Sequence, residues 1–550
     1  MQKQVLPTLL AVLILLSTAC SSDTRFTKLP ASKTGVDFEN RLIEDTTFNF
    51  LNYLYFYNGG GVAAGDINND GLDDLFFTSN QNENKLYLNQ GEFEFSDITT
   101  SAGITHQVGS WSTGVAMADI NGDGWLDIYV SNVNYLSKGG RNQLFINNQD
   151  GSFSELANEY GLDLDAYSVQ AAFLDYDKDG DLDVFQLNHS VHSIYSYAPI
   201  DTRDRIDPKS GDRLFRNDGD VFVDVSDEAG IFSSALGFGL GVTVSDINED
   251  GWPDIYVGND FHEDDYLYIN QKDGTFKESI RESVRHMSQF TMSVDIADIN
   301  NDGKKDIVTT DMLPFDEQIL KKSGGGDSYQ VAGIKEGYGY YPQYSRNMLQ
   351  LNVGENEDGN PIFSEIGYLA GIEATDWSWS GLLADLDNDG LRDFYIANGI
   401  YRRPNDLDYI KFISSSDIQN SLEAGIDPEN LKLVQRMPQL KIPNAVFKNN
   451  GDLSFTDLSA RWGLGEESYS NGATYSDLDN DGDLDLIVNN VNQSAFIYKN
   501  NSVTNEEFDG NYLQFHLMGD GKNTSGIGAK IKVFLEDQLL ELEQSPVRGF

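Results

Sequence analysis

One nine-residue pattern recurs seven times along this chain: Asp, any residue, Asp or Asn, any residue, Asp, Gly, two of any residue, Asp. Its polar positions 1, 3, 5 and 9 are Asp66, Asn68, Asp70 and Asp74 in the first copy and Asp119, Asn121, Asp123 and Asp127 in the second. The third has Asp175, Asp177, Asp179 and Asp183; the fourth Asp246, Asn248, Asp250 and Asp254. The fifth has Asp298, Asn300, Asp302 and Asp306; the sixth Asp385, Asp387, Asp389 and Asp393; the seventh Asp477, Asp479, Asp481 and Asp485. Copies start 52 to 92 residues apart. A unit repeated at such intervals builds one supersecondary element per copy, stacked on its neighbours.

The spacing has a chemical reason. Calcium takes six to eight hard oxygens at about 2.3–2.6 Å, and a tight loop presents side chains 1, 3 and 5 on its concave side. Glycine in position 6 permits the sharp turn, position 7 offers a carbonyl, and Asp in position 9 closes the shell. The first nine positions resemble an EF-hand, but position 12 of the first copy is Phe77 rather than an acid. The flanks read as strands, as in Gly114-Val-Ala-Met-Ala before the second copy and Ile128-Tyr-Val after it. Taken singly, such a nonamer also describes an ordinary Asp/Asn/Gly turn. Seven copies between strands favour a strand–calcium–strand hairpin and up to seven Ca²⁺. The four positions hold 24 carboxylates, in a chain with 38 Lys+Arg against 88 Asp+Glu and a net charge of −50. Seven Ca²⁺ ions would bring that charge to −36.

Each loop sits in a larger unit. A third strand ends in Asn, as in Leu86-Tyr-Leu-Asn89, Leu144-Phe-Ile-Asn147 and Val446-Phe-Lys-Asn449. A glycine turn and a fourth strand follow, as in Ser152-Phe-Ser-Glu-Leu, and then Ala-Gly-Ile passages such as Ala102-Gly-Ile. Four strands per unit and seven units predict an all-β fold, a seven-bladed β-propeller. The seventh unit lacks a fourth strand, and Gly35-Val-Asp-Phe-Glu-Asn reads as the segment that supplies it and closes the ring. The resulting boundaries are 1–20 an export signal, 21–34 a polar tether, 35–505 the propeller and 511–550 a partial C-terminal β module.

These repeats resemble the FG-GAP/VCBS repeats of integrin-α-like propellers. The tail, Asn511-Tyr-Leu-Gln-Phe-His-Leu with Asn523-Thr-Ser-Gly-Ile-Gly-Ala-Lys-Ile-Lys-Val, resembles the ASPIC/UnbV module that follows such repeats in the cartilage acidic proteins. Thr310-Asp-Met-Leu-Pro and Arg346-Asn-Met-Leu-Gln-Leu-Asn resemble exported members of that group in Bacteroidetes. The resemblance implies a calcium-binding propeller outside the cytoplasm. That module normally continues past Phe550, which reads the chain as a C-terminally truncated piece.

Lys3, the apolar run Leu9 to Leu16 and the small residues Ser17-Thr18-Ala19 form an export signal ahead of Cys20, the one cysteine. The segment resembles a bacterial lipoprotein signal, with Ser17 where Leu is commonest; the alternative is a plain secretory signal. Lipid on Cys20 implies a membrane-anchored protein at the outer membrane or cell surface, touching the membrane only through that lipid. The acidic surface excludes nucleic acid as a partner.

Blade geometry puts the Asp loops on one face and the second-to-third-strand connections on the other. Three of these are long, about His189–Arg213, Asp311–Asn347 and Gly399–Asn444, and they read as structureless loops on a rigid scaffold. They carry Tyr195, Tyr197, Tyr340, Tyr341, Tyr344, Tyr401, Arg402 and Arg403, with His192 and Tyr338 nearby. Such groups suit a glycan or a protein ligand, although each tyrosine alone also reads as loop packing. Trp111, Trp377 and Trp379 read as wedges between blades. The expected function is a calcium-stabilised binding or adhesion propeller. A propeller-type polysaccharide lyase or glycosidase and a structural subunit of a surface complex are the alternatives. No catalytic pair stands out among the acids.

Overall fold

The computed structural model describes residues 24–191, 198–219, 221–423, 426–503, 511–519, 521–535 and 538–546. The stretch read as an export signal, with Cys20, and the residues His192, Tyr195 and Tyr197 lie outside these residues. Seven four-stranded antiparallel sheets form the scaffold. Blade 2 is typical: Ser112–Ala118, Asp127–Asn132, Gln143–Asn147 and Phe153–Glu155, joined in order. Each innermost strand touches that of the next blade, and the last, Ser470–Ser476, touches the first, Val62–Gly65. This is the seven-bladed β-propeller that the repeat predicts.

Blades pack face to face, so their middle strands are apolar on both sides; every residue of Asp127–Asn132 is buried. Neighbouring innermost strands approach until backbones touch. A Cβ on Gly114 would lie 2.5 Å from the Val169 carbonyl oxygen, and one on Gly241 2.7 Å from Ser293 Cα. Only glycine fits at such a contact.

Ring closure uses a different segment from the one the sequence suggested. The fourth strand of blade 7 is Phe26–Leu29, paired antiparallel with Phe496–Asn500 from Phe26 opposite Asn500 to Leu29 opposite Ile497. Gly35-Val-Asp-Phe-Glu-Asn instead follows it as the equivalent of the Ala-Gly-Ile passages. Gly35 has φ 74°, like the helix-ending Gly161 (78°) and Gly230 (80°), and Val36 and Phe38 pack between blades 7 and 1. Gly161 and Gly230 lie eight residues after the Phe of their fourth strands, whereas Gly35 lies nine after Phe26. The propeller thus begins inside the stretch 21–34 read as a tether.

The long connections are not structureless. Blade 5 inserts the helices Glu317–Lys322 and Tyr329–Tyr338; blade 6 inserts Leu407–Ile413, Ser416–Glu423 and Pro428–Val434. Their starts carry capping side chains: Asp316 accepts from Gln318 and Ile319 N–H, and Asp427 caps a helix with Pro428 in its first turn.

An aromatic segment plugs the channel on this insertion face. Phe48, Phe50, Tyr53, Tyr55, Phe56 and Tyr57 are all buried. Phe48 and Phe56 pack on Trp111 of blade 2 at 4.9 and 5.1 Å. The Tyr53 hydroxyl bonds His189 Nε2 of blade 3 (2.9 Å), and Tyr55 donates to Asp260 of blade 4 (3.2 Å). Tyr57 meets Tyr401 of blade 6 and accepts from Asn471 of blade 7 (3.3 Å). A segment that touches blades 2, 3, 4, 6 and 7 must cross the ring axis. Trp111 therefore packs against the plug rather than wedging blades apart, and Trp377 and Trp379 join the same cluster.

Two outcomes follow. Phe26, 1% exposed, should lose about 3–5 kcal/mol of stability as Phe26→Ala, read by denaturant unfolding; a loss below about 1 kcal/mol would mean that this strand does not hold the ring. Burial pushes the Asp260 carboxyl up to about 8, the Asp311 charge adding to the rise. An unfolded Asp titrates near 3.9, so this group's stabilisation is full below about pH 4 and falls until pH passes about 8. Asp260→Asn should flatten the decline in melting temperature between about pH 6 and 8; an unaltered slope would remove Asp260 as its source.

Candidate functional site

Six of the Asp loops, all but loop 3, share one hydrogen-bond plan. The position-1 carboxylate accepts N–H groups from positions 5 and 6, as Asp66 does from Asp70 (3.1 Å) and Gly71 (2.8 Å) and Asp385 from Asp389 (3.0 Å) and Gly390 (2.9 Å). Position 4 adopts the left-handed conformation, with φ of 57° at Asn69 and 55° at Asn480, which explains the frequent Asn there.

Position 9 ties three strands together. In all seven loops this Asp is buried, and its two oxygens accept two backbone N–H groups, one from position 2 and one from the Asn that ends the third strand. Asp127 takes Ile120 (3.0 Å) and Asn147 (2.8 Å); Asp485 takes Leu478 (2.9 Å) and Asn500 (2.8 Å). In blades 1, 2, 4, 6 and 7 the Asn amide then reaches the preceding blade: Asn147 donates to the Ile67 carbonyl (2.8 Å) and Asn500 to the Leu386 carbonyl (2.9 Å). Position 4 adds loop-to-loop bonds, and Asn480 to the Gly71 carbonyl (2.7 Å) joins loop 7 to loop 1.

The donor sets differ between loops. In loops 1, 2, 4 and 5 the position-3 Asn donates to the position-5 carboxylate, at 2.9 Å for Asn68 to Asp70. In loops 3, 6 and 7 an Asp stands there, and the carboxylate oxygens of positions 1, 3 and 9 lie within 4.8 Å of one another. Asp175, Asp177, Asp387 and Asp479 each keep one buried oxygen with no hydrogen-bond partner, as do Asp181 and Asp483 in position 7. Burial, reinforced by neighbouring carboxylates, pushes Asp74, Asp127 and Asp306 up to about 7 and Asp183 up to about 9. Converging hard oxygens, some of them unsatisfied, fit a hard divalent cation.

The C-terminal segment lies across this face. Its hairpin, Lys530–Phe534 with Leu539–Glu543, pairs Lys305 with Glu541 (2.9 Å) and Lys530 with Asp246 (2.6 Å). The Thr524 hydroxyl donates to Asp119, and the Asn523 N–H to the Gly180 carbonyl (3.0 Å).

On the insertion face the residues singled out in the sequence divide. Tyr340 is buried with its hydroxyl on the Ala198 carbonyl (2.5 Å), and Arg403 is buried on Asp376 (2.6 Å); both hold the insertions down. Tyr341 donates its hydroxyl to the Val284 carbonyl (3.2 Å), Tyr401 packs between Tyr57 and Tyr469, and Arg402 faces Glu44 (3.7 Å). Tyr344 is exposed. The open feature lies elsewhere: a cleft of about 690 Å³ between the helix Glu317–Lys322 and the blade-6 insertion. Gln318, Lys322, Asp406, Phe412, Arg436 and Gln439 line it, the Arg436 guanidinium resting 4.6 Å from the Phe412 ring centre. Sequence reasoning passed over Phe412 and Arg436, which lie in no repeat; the capping Asp406 and Asp427 were the available signals of ordered structure there.

The FG-GAP-like repeat family matches residues 66–130, 133–185 and 246–309, which hold the first five Asp loops. Cartilage acidic protein 1 of Xenopus tropicalis is 31% identical over 212 residues, 37% of this chain and 29% of the relative. The Mus musculus protein is 30% identical over 211 residues, 36% of this chain and 29% of the relative. The matched stretch thus spans under a third of the length of these curated relatives. Among solved structures, a lectin of Agrocybe aegerita that recognises non-reducing terminal N-acetylglucosamine has TM-score 0.34 and 16% identity, over 78% of this chain and 85% of that one. The biofilm matrix protein Bap1 of V. cholerae has TM-score 0.37 and 10% identity, over 92% of this chain and 96% of that one. Neither of these two likenesses bears on ligand or activity. The chain is a seven-bladed β-propeller, and its residues 66–130, 133–185 and 246–309 are similar to FG-GAP-like repeats.

Proposed function

We propose that this chain is an exported, calcium-stabilised binding propeller that holds a glycan in the cleft between its blade-5 and blade-6 insertions. One observation carries the placement: both mouths of the channel are covered by the chain itself. The plug Phe48 to Tyr57 fills one, and the C-terminal hairpin lies across the Asp-loop face at the other. Recognition therefore moves to the periphery, where the cleft offers an aromatic face with acids, bases and amides side by side, the mixture that suits a neutral, polyhydroxylated ligand.

Positions 1, 3, 5 and 9 of each loop would hold the ion, up to seven Ca²⁺ in all. Bound calcium supplies the charge that keeps three to five carboxylates together in one tight turn. The support for this reading is the set of buried, unpartnered oxygens in loops 3, 6 and 7. The tail from residue 511 is read as the start of an ASPIC/UnbV-like module. Lipid on Cys20 would leave only residues 21–25 before the closing strand, a reach of at most about 18 Å. Such an anchor sets the edge of blade 7 close to the membrane.

Chelation should lower the melting temperature by about 10 °C or more, and an unaltered melt would overturn the calcium reading. A polysaccharide panel offered to the lipid-free protein in calcium should show retention without cleavage, lost in Phe412→Ala and Arg436→Ala. Cleavage of the chain, or retention indifferent to both substitutions, would overturn the glycan reading.

A further inference from the structure

The seven loops fall into two classes, and the division reaches an element far from the loop in sequence. Loops 1, 2, 4 and 5 have Asn in position 3, and the residue before the Asn ending their third strand is aliphatic: Leu88, Ile146, Ile269 and Leu351. Loops 3, 6 and 7 have Asp in position 3, and the same strand position holds Arg216, Lys448 and Lys499. An added carboxylate on the loop goes with an added cation on the neighbouring strand.

In blades 6 and 7 the two are in contact. Lys448 Nζ bridges positions 3 and 5, pairing with Asp387 and with Asp389 (2.5 Å). Lys499 Nζ does the same with Asp479 and Asp481 (3.0 Å). Their side chains are 26% and 22% exposed. Lys272, beside loop 4, and Lys304, in position 7 of loop 5, reach position 5 alone, at 3.2 and 3.3 Å, with side chains 47% and 41% exposed. Arg216 forks onto Asp218 instead (2.7 and 3.1 Å). The lysine does not complete loop 6, because Asp387, its side chain 7% exposed, keeps Oδ1 without a partner beside Asp385 and Asp393.

Resting on the calcium reading above, we propose that Lys448 and Lys499 are tethered cations that hold the carboxylates of loops 6 and 7 together while the ion is absent and are displaced when calcium binds. An ammonium and a divalent ion that share the same two carboxylates repel each other at short range, so each lysine opposes the ion while preserving its site. The ion-free loops 6 and 7 keep their shape, and their calcium affinity is lower than their carboxylate count alone implies. Lys499 adds a second consequence. It sits opposite Thr27 of the closing strand, so the loop it stabilises belongs to the blade that joins the two ends of the ring.

The test is calorimetric titration of calcium into chelator-stripped full chain, for the wild type, Lys448→Met and Lys499→Met, with Lys448→Arg as the charge-preserving control. Each Met variant should tighten one class of sites by about tenfold and melt earlier than the wild type in chelator, while Lys448→Arg behaves as the wild type. Calcium uptake that is unaltered or weakened in both Met variants would overturn the proposal alone. A wild-type chain that takes up no calcium would overturn the calcium reading, and this proposal with it.

Discussion

The ring depends on one buried carboxylate per blade. The position-9 Asp accepts a backbone N–H from the loop with one oxygen and another from the end of the third strand with the other. Both bonds are buried, so water does not compete for them, and losing either would leave a polar group unpaired in the interior. The second bond fixes the Asn whose amide then crosses to the preceding blade. Intra-blade order and inter-blade registry therefore pass through a single pair of side chains. That is why the Asp and the Asn recur together although 15 to 56 residues separate them.

A second side chain, at the opposite end of the blade, explains why the insertions differ so much in length. Where the second strand ends, its backbone N–H donates to an Asn or Asp just ahead of the third strand: Ser79 to Asn84 (2.9 Å), Asn188 to Asp212 (2.9 Å), Asp311 to Asn347 (2.7 Å) and Asn398 to Asn444 (3.0 Å). Five residues or 46 are closed by the same bond. The entropy of a longer closed loop grows only as the logarithm of its length, so once the neck is clamped the fold is nearly indifferent to what lies beyond it. Blades 5 and 6 use that freedom to build helices and a cleft.

What could be read from the chain follows from the same division. The loops, the strands around them and the count of seven were legible because each blade repeats the same local chemistry. The clamping residue was legible in principle, since Asn142-Gln-Leu-Phe-Ile-Asn147 and Asn444-Ala-Val-Phe-Lys-Asn449 share their first and last residues, but only the last one drew attention. The closing strand was displaced because one extra residue before Gly35 breaks the spacing from Phe26 to its glycine. The plug was illegible for a stronger reason. Phe48 to Tyr57 has neither period 2 nor period 3.6, and its partners come from five blades, so no local signal announces it. Tyr340 and Arg403 show the opposite error, in which residue types that suit recognition prove to be buried anchors.

The arrangement of charge follows from where the backbone needs acceptors. A chain with a net charge of −50 can be compact because many of its carboxylates are capped by N–H groups in turns rather than opposed by lysines. The lysines are few enough that their positions are informative. Lys448 and Lys499 stand where a loop carries one carboxylate more than its hydrogen bonds can satisfy, and Lys305 and Lys530 stand where the C-terminal hairpin meets the rim. These four lysines thus lie on the Asp-loop face, each against the chain's own acids. The cleft on the far side keeps a mixed lining, with Lys322 and Arg436 set among Asp316, Asp406 and Asp408. With Arg403 counted, three bases there meet three acids, so the cleft lining is balanced in charge while the chain as a whole is strongly acidic.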